Sequence, residues 1–259
     1  MTNKIQAIQK LMQQNNIDLL WISDADPHFN EYVHPHWQLR SYLSGFDGSN
    51  GVLIIEKDAA SLWTDGRYFV QAKSQLEGSN IKMCKWESKD KSPVNYLINK
   101  AQKESLNIGY DPKVLSSDFI YNITNNVNSK LIPLDNNFIE KLWSADKNTK
   151  RVKAPMDKIK VYPIEYAGEG FKDKVDKIKS KLDTKVSYYL LSRSDQIAWL
   201  LNLRGNDTKH TPIFMAYALI SFDNNKNSVL WVLEDKITQD VKDYCKQNKI
   251  DLKNYANFE

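Results

Sequence analysis

Cysteine, glycine, histidine and arginine are all scarce in this sequence, and no long apolar run occurs. The 259 residues include two cysteines, Cys84 and Cys245, one in each half. That excludes a disulfide-rich scaffold and a zinc knuckle built from cysteine alone, and it fits a reducing compartment. The longest apolar stretch, residues 212–222, is about half the ~20 residues of a membrane helix. The first ten residues, MTNKIQAIQK, are too polar for a signal peptide, so a soluble, cytoplasmic protein is expected. Charge of one sign is also lacking: 36 Lys+Arg against 32 Asp+Glu leaves a net +4 with no basic block, which argues against nucleic acid as partner. What is present is core material. Hydrophobic residues make up 41% and aromatics 11%, enough to exclude a disordered or fibrous chain.

Apolar periodicity alternates between helix and strand. A helical face (Ile5, Ile8, Leu11, Met12) precedes a buried strand at 18–23, and strands at 52–56 and 60–64 lead to a helix at 68–76. Strands at 81–86, 108–110 and 131–134 alternate with helices at 93–103 and 116–127. Such layering is α/β, with a sheet at least partly parallel. Residues 144–160, SADKNTKRVKAPMDKIK, are charged and carry no apolar stripe, which reads as a linker. Beyond it come a helix at 170–182, a strand at 186–191, a helix at 194–202, strands at 213–222 and 229–233 around a polar turn, and a helix at 238–247.

The two halves resemble each other. Leu20-Trp21-Ile22-Ser23 leads to Asp26 as Tyr189-Leu190-Leu191-Ser192 leads to Asp195, and Tyr42, Leu43, Phe46 and Gly48 keep the spacing of Trp199, Leu200, Leu203 and Gly205. Between these matches the first half carries an insertion of about a dozen residues that holds His28, His34 and His36.

Those histidines, with Asp26 and Glu31, have the atoms of a zinc or manganese site, but their spacing gives no helical i, i+4 face and Pro35 stiffens the turn. Surface histidines in a polar loop are the expected outcome. Gly45, Gly48 and Gly51 lack the order and the helix of a phosphate cradle, so a tight turn with positive φ is expected. No nucleophile elbow and no HEXXH occurs. Basic residues are nearly all lysine, and the five arginines (Arg40, Arg67, Arg151, Arg193, Arg204) are expected where a planar fork matters. Arg67 is the most suggestive. The segment Leu62-Trp63-Thr64-Asp65-Gly66-Arg67-Tyr68 ends a buried strand, where Gly66 turns the chain and open α/β sheets place ligand contacts. Arg67 there either clamps a carboxylate or peptide carbonyl, or pairs with Asp65 to stiffen the turn.

His28-x-x-Glu31-Tyr32, Arg40, Ser44-Gly45-Phe46-Asp47-Gly48-Ser49 and Leu62-Trp63-Thr64-Asp65-Gly66-Arg67-Tyr68-Phe69 together resemble the first domain of three-domain Xaa-Pro aminopeptidases. Tyr162-Pro163, Tyr166-Ala167-Gly168 and the run from Ile197 to Gly205, followed by Asp207, Pro212 and Phe214, resemble the second. The resemblance implies two successive creatinase/prolidase N-terminal-like α/β domains, each a mixed sheet with flanking helices, at 1–144 and 161–259 around a 145–160 linker, the second either complete or cut short at its C-terminus. It implies an N-terminal, non-catalytic part of a metal-dependent hydrolase that removes the first residue from peptides with proline in second position. The catalytic pita-bread domain, with two divalent ions expected to be manganese, is expected to be absent here, and the chain alone is expected to hold no metal and no activity. Arg67 is implied to bind substrate, with His28, Glu31, Arg40 and Asp65 in support, and the parent is expected to be a homodimer. Residues 34, 36 and 37 depart from the family pattern. A stand-alone, non-catalytic peptide-binding module of the same fold is the alternative; a reading frame continuing into an Asp/His/Glu-rich domain separates the two.

Overall fold

The computed structural model describes residues 2–23, 25–144, 150–183, 185–223 and 225–258. These form two compact units: Met1–Asp26 with Pro35–Val152, and Pro27–His34 with Lys153–Glu259. Both are α/β, with mixed sheets and flanking helices. Of the expected linker, residues 145–149 lie outside the described residues.

The first unit runs α1 (Thr2–Gln14), β1 (Leu19–Ile22), α2 (Leu39–Ser44), β2 (Val52–Glu56), β3 (Ala60–Thr64), α3 (Phe69–Gln75), β4 (Lys82–Lys85), α4 (Pro93–Lys103), β5 (Asn107–Tyr110), α5 (Ser117–Asn126), β6 (Lys130–Pro133) and α6 (Asn136–Trp143). Its sheet has the order β4-β3-β2-β1-β5-β6. The pairs β1–β2 and β2–β3 are antiparallel, whereas β3–β4, β1–β5 and β5–β6 are parallel. A central strand covered on both faces must be apolar at every position, and β1 reads Leu-Leu-Trp-Ile with all four buried. Leu20 and Ile22 pack into one layer with α1, α2, α3 and α6, while Leu19 and Trp21 pack into the other with α4 and α5.

The second unit runs β7 (Lys160–Val161), α7 (Ile164–Ala167), α8 (Phe171–Lys179), β8 (Tyr188–Leu191), α9 (Ser194–Leu200), β9 (Leu203–Arg204), β10 (Tyr217–Ser221), β11 (Ser228–Val232), α10 (Gln239–Gln247) and β12 (Ile250–Asn254). Its main sheet is β12-β11-β10-β8, and β7 pairs with β9 in a short ribbon. From α8 to β12, with the ribbon strand β9 set aside, the order helix, strand, helix, strand, strand, helix, strand repeats that of α1 to β4, with the same senses of pairing. Register repeats as well: Val52 pairs with Trp63 as Tyr217 pairs with Trp231.

The expected strand over 213–222 is a strand only from Tyr217. The preceding residues are buried but tied to a loop instead, since Asp207 N–H donates to Ile213 O at 3.1 Å and Met215 N–H to Asp207 Oδ2 at 2.7 Å. Both cysteines are free thiols, and burial pushes Cys245 up to about 11, so it packs as a protonated, apolar side chain. Among the described residues no helix is long and apolar enough to cross a membrane.

Asp207 and Lys236 form an ion pair in the core of the second unit, both side chains fully excluded from solvent. Burial pushes the Asp207 carboxyl up and the Lys236 ammonium down, each toward its neutral form, and the contact between them opposes both shifts. Lys236→Met, which strands the carboxylate, should cost about 3–5 kcal/mol, whereas Asp207→Asn combined with Lys236→Met should recover most of the loss. Urea unfolding of the three proteins checks this.

Candidate functional site

The turn that follows β3 is built by side chains. Thr64, the last residue of β3, is buried and its hydroxyl donates to Asn50 O at 2.6 Å. Asn50 Nδ2 in turn donates to Asp65 Oδ2 at 2.6 Å. Asp65 Oδ1 accepts from the Arg67 backbone N–H at 3.0 Å, an Asx turn that bends the chain. Tyr68 N–H donates to Asp65 O at 3.0 Å, and α3 starts at the next residue. Gly66 occupies the first central position of this turn, where its φ is not positive and a Cβ would meet nothing closer than 3.9 Å.

Arg67 lies against the same carboxylate. Its Nε donates to Asp65 Oδ1 at 2.9 Å and its Nη2 to Oδ2 at 2.7 Å, so one edge of the guanidinium is held side-on. These charged hydrogen bonds hold the Asp65 carboxyl well below the usual carboxylate range, with Asn50 adding to the effect. The Arg67 side chain is 66% exposed against 24% for Asp65. Its second edge, Nη1 with the remaining Nη2 hydrogen, makes no hydrogen bond among the described residues and offers a two-pronged donor. The guanidinium carbon lies 5.2 Å from the Tyr68 ring, and Tyr68 OH is 2.6 Å from Ser49 Oγ.

Arg40 supports this turn from below. It is 2% exposed, donates from Nη1 to Phe46 O at 3.1 Å and from Nη2 to Gly48 O, and stacks 4.8 Å from the Phe46 ring. A guanidinium that binds two carbonyls of one loop fixes its path, so the loop carrying Ser49 and Asn50 is set by Arg40. Only Gly45 in this loop has the expected positive φ, +74°. Gly48 is required for another reason: a Cβ would fall 2.3 Å from Phe46 Cζ.

The remaining predicted residues belong to the second unit. His28 is completely buried there, not at the surface. Its Nδ1 lies 2.7 Å from Ser192 O, a pure acceptor, so Nδ1 carries the proton. In the neutral ring Nε2 then accepts from Tyr255 O–H, also at 2.7 Å. The ring centre lies 4.6 Å from that of Tyr217, the two planes tilted by 40°. Glu31 is exposed. In the first unit His36 Nδ1 lies 2.7 Å from Val152 O. Among the described residues no three His, Cys, Asp or Glu side chains come together as a metal ligand set. Each arginine makes directed contacts: Arg193 grips Asp195 side-on as Arg67 grips Asp65, Arg151 binds Glu140, and Arg204 donates to Leu203 O at 2.9 Å.

A family model described as the creatinase/prolidase N-terminal domain matches residues 4–142, and a second of the same description matches 150–259. The probable Xaa-Pro aminopeptidase P of Pyrenophora teres f. teres is 32% identical over 258 residues, covering 98% of this chain and 38% of the relative. That of Talaromyces stipitatus is 34% identical over 253 residues, covering 93% and 36%. The chain thus spans under two fifths of these curated relatives. The crystal structure of an X-prolyl aminopeptidase from Caenorhabditis elegans, described as a cytosolic enzyme with a di-nuclear active site, superposes with a TM-score of 0.82 at 23% identity, over 93% of this chain and 38% of that one. At that identity the likeness speaks for the fold.

Two outcomes are expected. The Asp65 carboxyl should stay ionised below the usual carboxylate range when followed by ¹³C NMR. Its folded pKa lies below the unfolded value of about 3.9, so its contribution to stability is complete above that value and is lost as pH falls through the folded pKa. His28→Ala should cost about 2–4 kcal/mol by leaving a cavity and two unmet polar groups, and amide exchange should accelerate in β10 but not in β1.

Proposed function

The chain belongs to the creatinase/prolidase N-terminal domain family, and from that membership we propose that it is the N-terminal, non-catalytic part of a metal-dependent Xaa-Pro aminopeptidase acting in the cytoplasm. In this reading residues 145–160 are the linker between its two domains, which line the way to a catalytic domain supplied by the rest of the protein and present Arg67 to the peptide. Two divalent ions, taken to be manganese, belong to that other domain, and no step is assigned to them here. The coverage of the relatives supports the division: each match spans nearly all of this chain and only the smaller part of the relative.

The observation that carries the role of Arg67 is the division of labour between its two edges. Asp65 holds the side-on edge, which fixes orientation and lowers the entropy lost on binding, while the other edge remains exposed. A fork of that kind accepts a peptide carbonyl or the carboxylate of a short peptide in one orientation, which an ammonium cannot reproduce. Arg40 acts as scaffold for the loop, Asp65 as the clamp, and His28 and Glu31 serve the second domain. Proline at the second position removes an N–H donor and fixes φ, so binding relies on carbonyls, which suits a donor-only side chain.

In the full-length enzyme, Arg67→Ala and Arg67→Lys should lower kcat/KM on Xaa-Pro peptides by roughly tenfold to a hundredfold, the worth of about 1.5–3 kcal/mol for a charged hydrogen bond, with unfolding temperature unchanged. Arg193→Ala, which breaks a similar side-on pair elsewhere, should leave kinetics near the parent value. An Arg67→Ala enzyme as active as the parent on short and long peptides alike makes Arg67 a turn-stiffening partner of Asp65 and nothing more.

A further inference from the structure

The internal repeat makes β1 and β8 counterparts, and the two strands differ in what flanks them. β1 pairs with β2 on one side and with β5, in parallel, on the other. β8 pairs with β10, the counterpart of β2, and no strand flanks its other side among the described residues. Phe222 N–H donates to Ser187 O at 3.0 Å, and successive strand residues alternate in direction, so residues 187, 189 and 191 bond toward β10. The main-chain groups of Tyr188 and Leu190 therefore point outward from the sheet. Beyond them the edge is closed, because Ser192 O accepts from His28 Nδ1 at 2.7 Å. Native proteins blunt an open edge with Pro or with charge, and Tyr-Tyr-Leu-Leu has neither.

One face of the second sheet is bare as well. In the first unit Leu19, Trp21, Val52 and Ile54 share a face that α4 and α5 seal with Leu97, Ala101 and Ile123, and all four are buried. Register makes Tyr188, Leu190, Tyr217 and Leu219 their counterparts. Tyr188 is 39% exposed and Leu190 54%, while Tyr217 and Leu219 are half-buried. The opposite face of the same sheet is dry: Leu191, Ala218, Ile220 and Leu230 are at most 4% exposed. One corner of the bare face has a cover, where the Phe258 ring stacks on Tyr217 at 3.7 Å with the planes 6° apart and meets Trp231 edge-on at 5.4 Å. A contiguous apolar face beside an unpaired edge marks an interaction site.

The repeat also says what the cover is. In the first unit the chain leaves β4 at Lys85, crosses the face as α4 and enters the sheet beside β1 as β5. The matching point in the second unit is the end of β12 at Asn254, and from there Tyr255–Asn257 carry Phe258 onto this same face. More than three fifths of each curated relative lies outside the match, so there is chain to supply a cover. A second copy meeting β8 edge to edge about a two-fold axis would pair it antiparallel and leave the face bare, whereas a helix followed by a strand meets both needs. We infer that the segment following residue 259 in the longer protein docks here, a helix lying across Leu190 and Leu219 and the strand after it pairing in parallel with the Tyr188–Leu190 edge. The inference rests on the reading that the remainder of the protein lies beyond residue 259, and it is independent of the role proposed for Arg67.

Hydrogen exchange at the Tyr188 and Leu190 amides tests it by comparing the 259-residue chain with the full-length protein. In the chain both should exchange as unprotected amides, and in the full-length protein both should slow by roughly a hundredfold or more. Leu190→Asp should leave the unfolding temperature of the chain unchanged and lower that of the full-length protein, with fast exchange restored at Tyr188. Equally fast exchange in the two proteins overturns the inference, as does a reading frame that stops at residue 259. Protection that arises in the chain together with a dimer in sedimentation assigns the edge to a second copy and overturns it too. A full-length protein inactive on Xaa-Pro peptides but protected at both amides removes the proposed function and leaves this inference standing.

Discussion

A polar side chain on the loop after the second helix of each repeat ties down the turn that follows the third strand, and the geometry at that end of each sheet depends on this tether. In the first unit it is Asn50, two residues past Gly48, bound to Asp65. In the second it is Asp207, two residues past Gly205, bound to Lys236. The two tethers meet opposite demands. Asn50 is neutral, so Asp65 keeps its charge for Arg67 and the assembly remains partly exposed. Asp207 brings its own charge, needs a cation, and the pair is sealed from water. A buried pair of that kind contributes little net stability but tolerates no loss of either member. One topology therefore carries an exposed donor in one copy and a closed structural pair in the other.

The central strands β1 and β2 were legible because burial on both faces demands nearly unbroken apolar runs. The edge strand β12 was not: in Ile-Asp-Leu-Lys-Asn only Ile250 is fully buried, and its order comes from parallel pairing with β11. Helix α6 also escaped, although Asp135 caps it by accepting from Phe138 N–H at 2.7 Å, a signal present in the sequence. Residues 213–216 misled in the other direction, since their apolarity reports burial and the Asp207 loop, not the sheet, takes up their backbone.

The candidate site divides in the same way. Asp65 and Arg67 stand two residues apart at a strand end, a local pattern with a local meaning, and the side-on pair between them is there in the fold. Asn50 carried no such mark, because its importance arises from the approach of a loop 15 residues away. His28 was the hardest to place. Its partners Ser192 and Tyr255 are 164 and 227 residues distant, and nothing in a polar insertion signals that one of its histidines is core.

That last distance has a consequence for synthesis. Residues Pro27–His34 leave the ribosome well ahead of the rest of the unit they complete, whose other members follow Val152. At ~5–20 residues per second, the 227 residues between His28 and Tyr255 take roughly 11–45 s to translate. Strands β1 to β6 can pair during that interval, while the loop between β1 and α2 is held in waiting with an imidazole whose hydroxyl partner does not yet exist. Tyr255 is therefore a lock: the nascent second unit closes its core only when that residue arrives, and a ribosome that pauses short of it leaves a finished first unit trailing an unfinished second one.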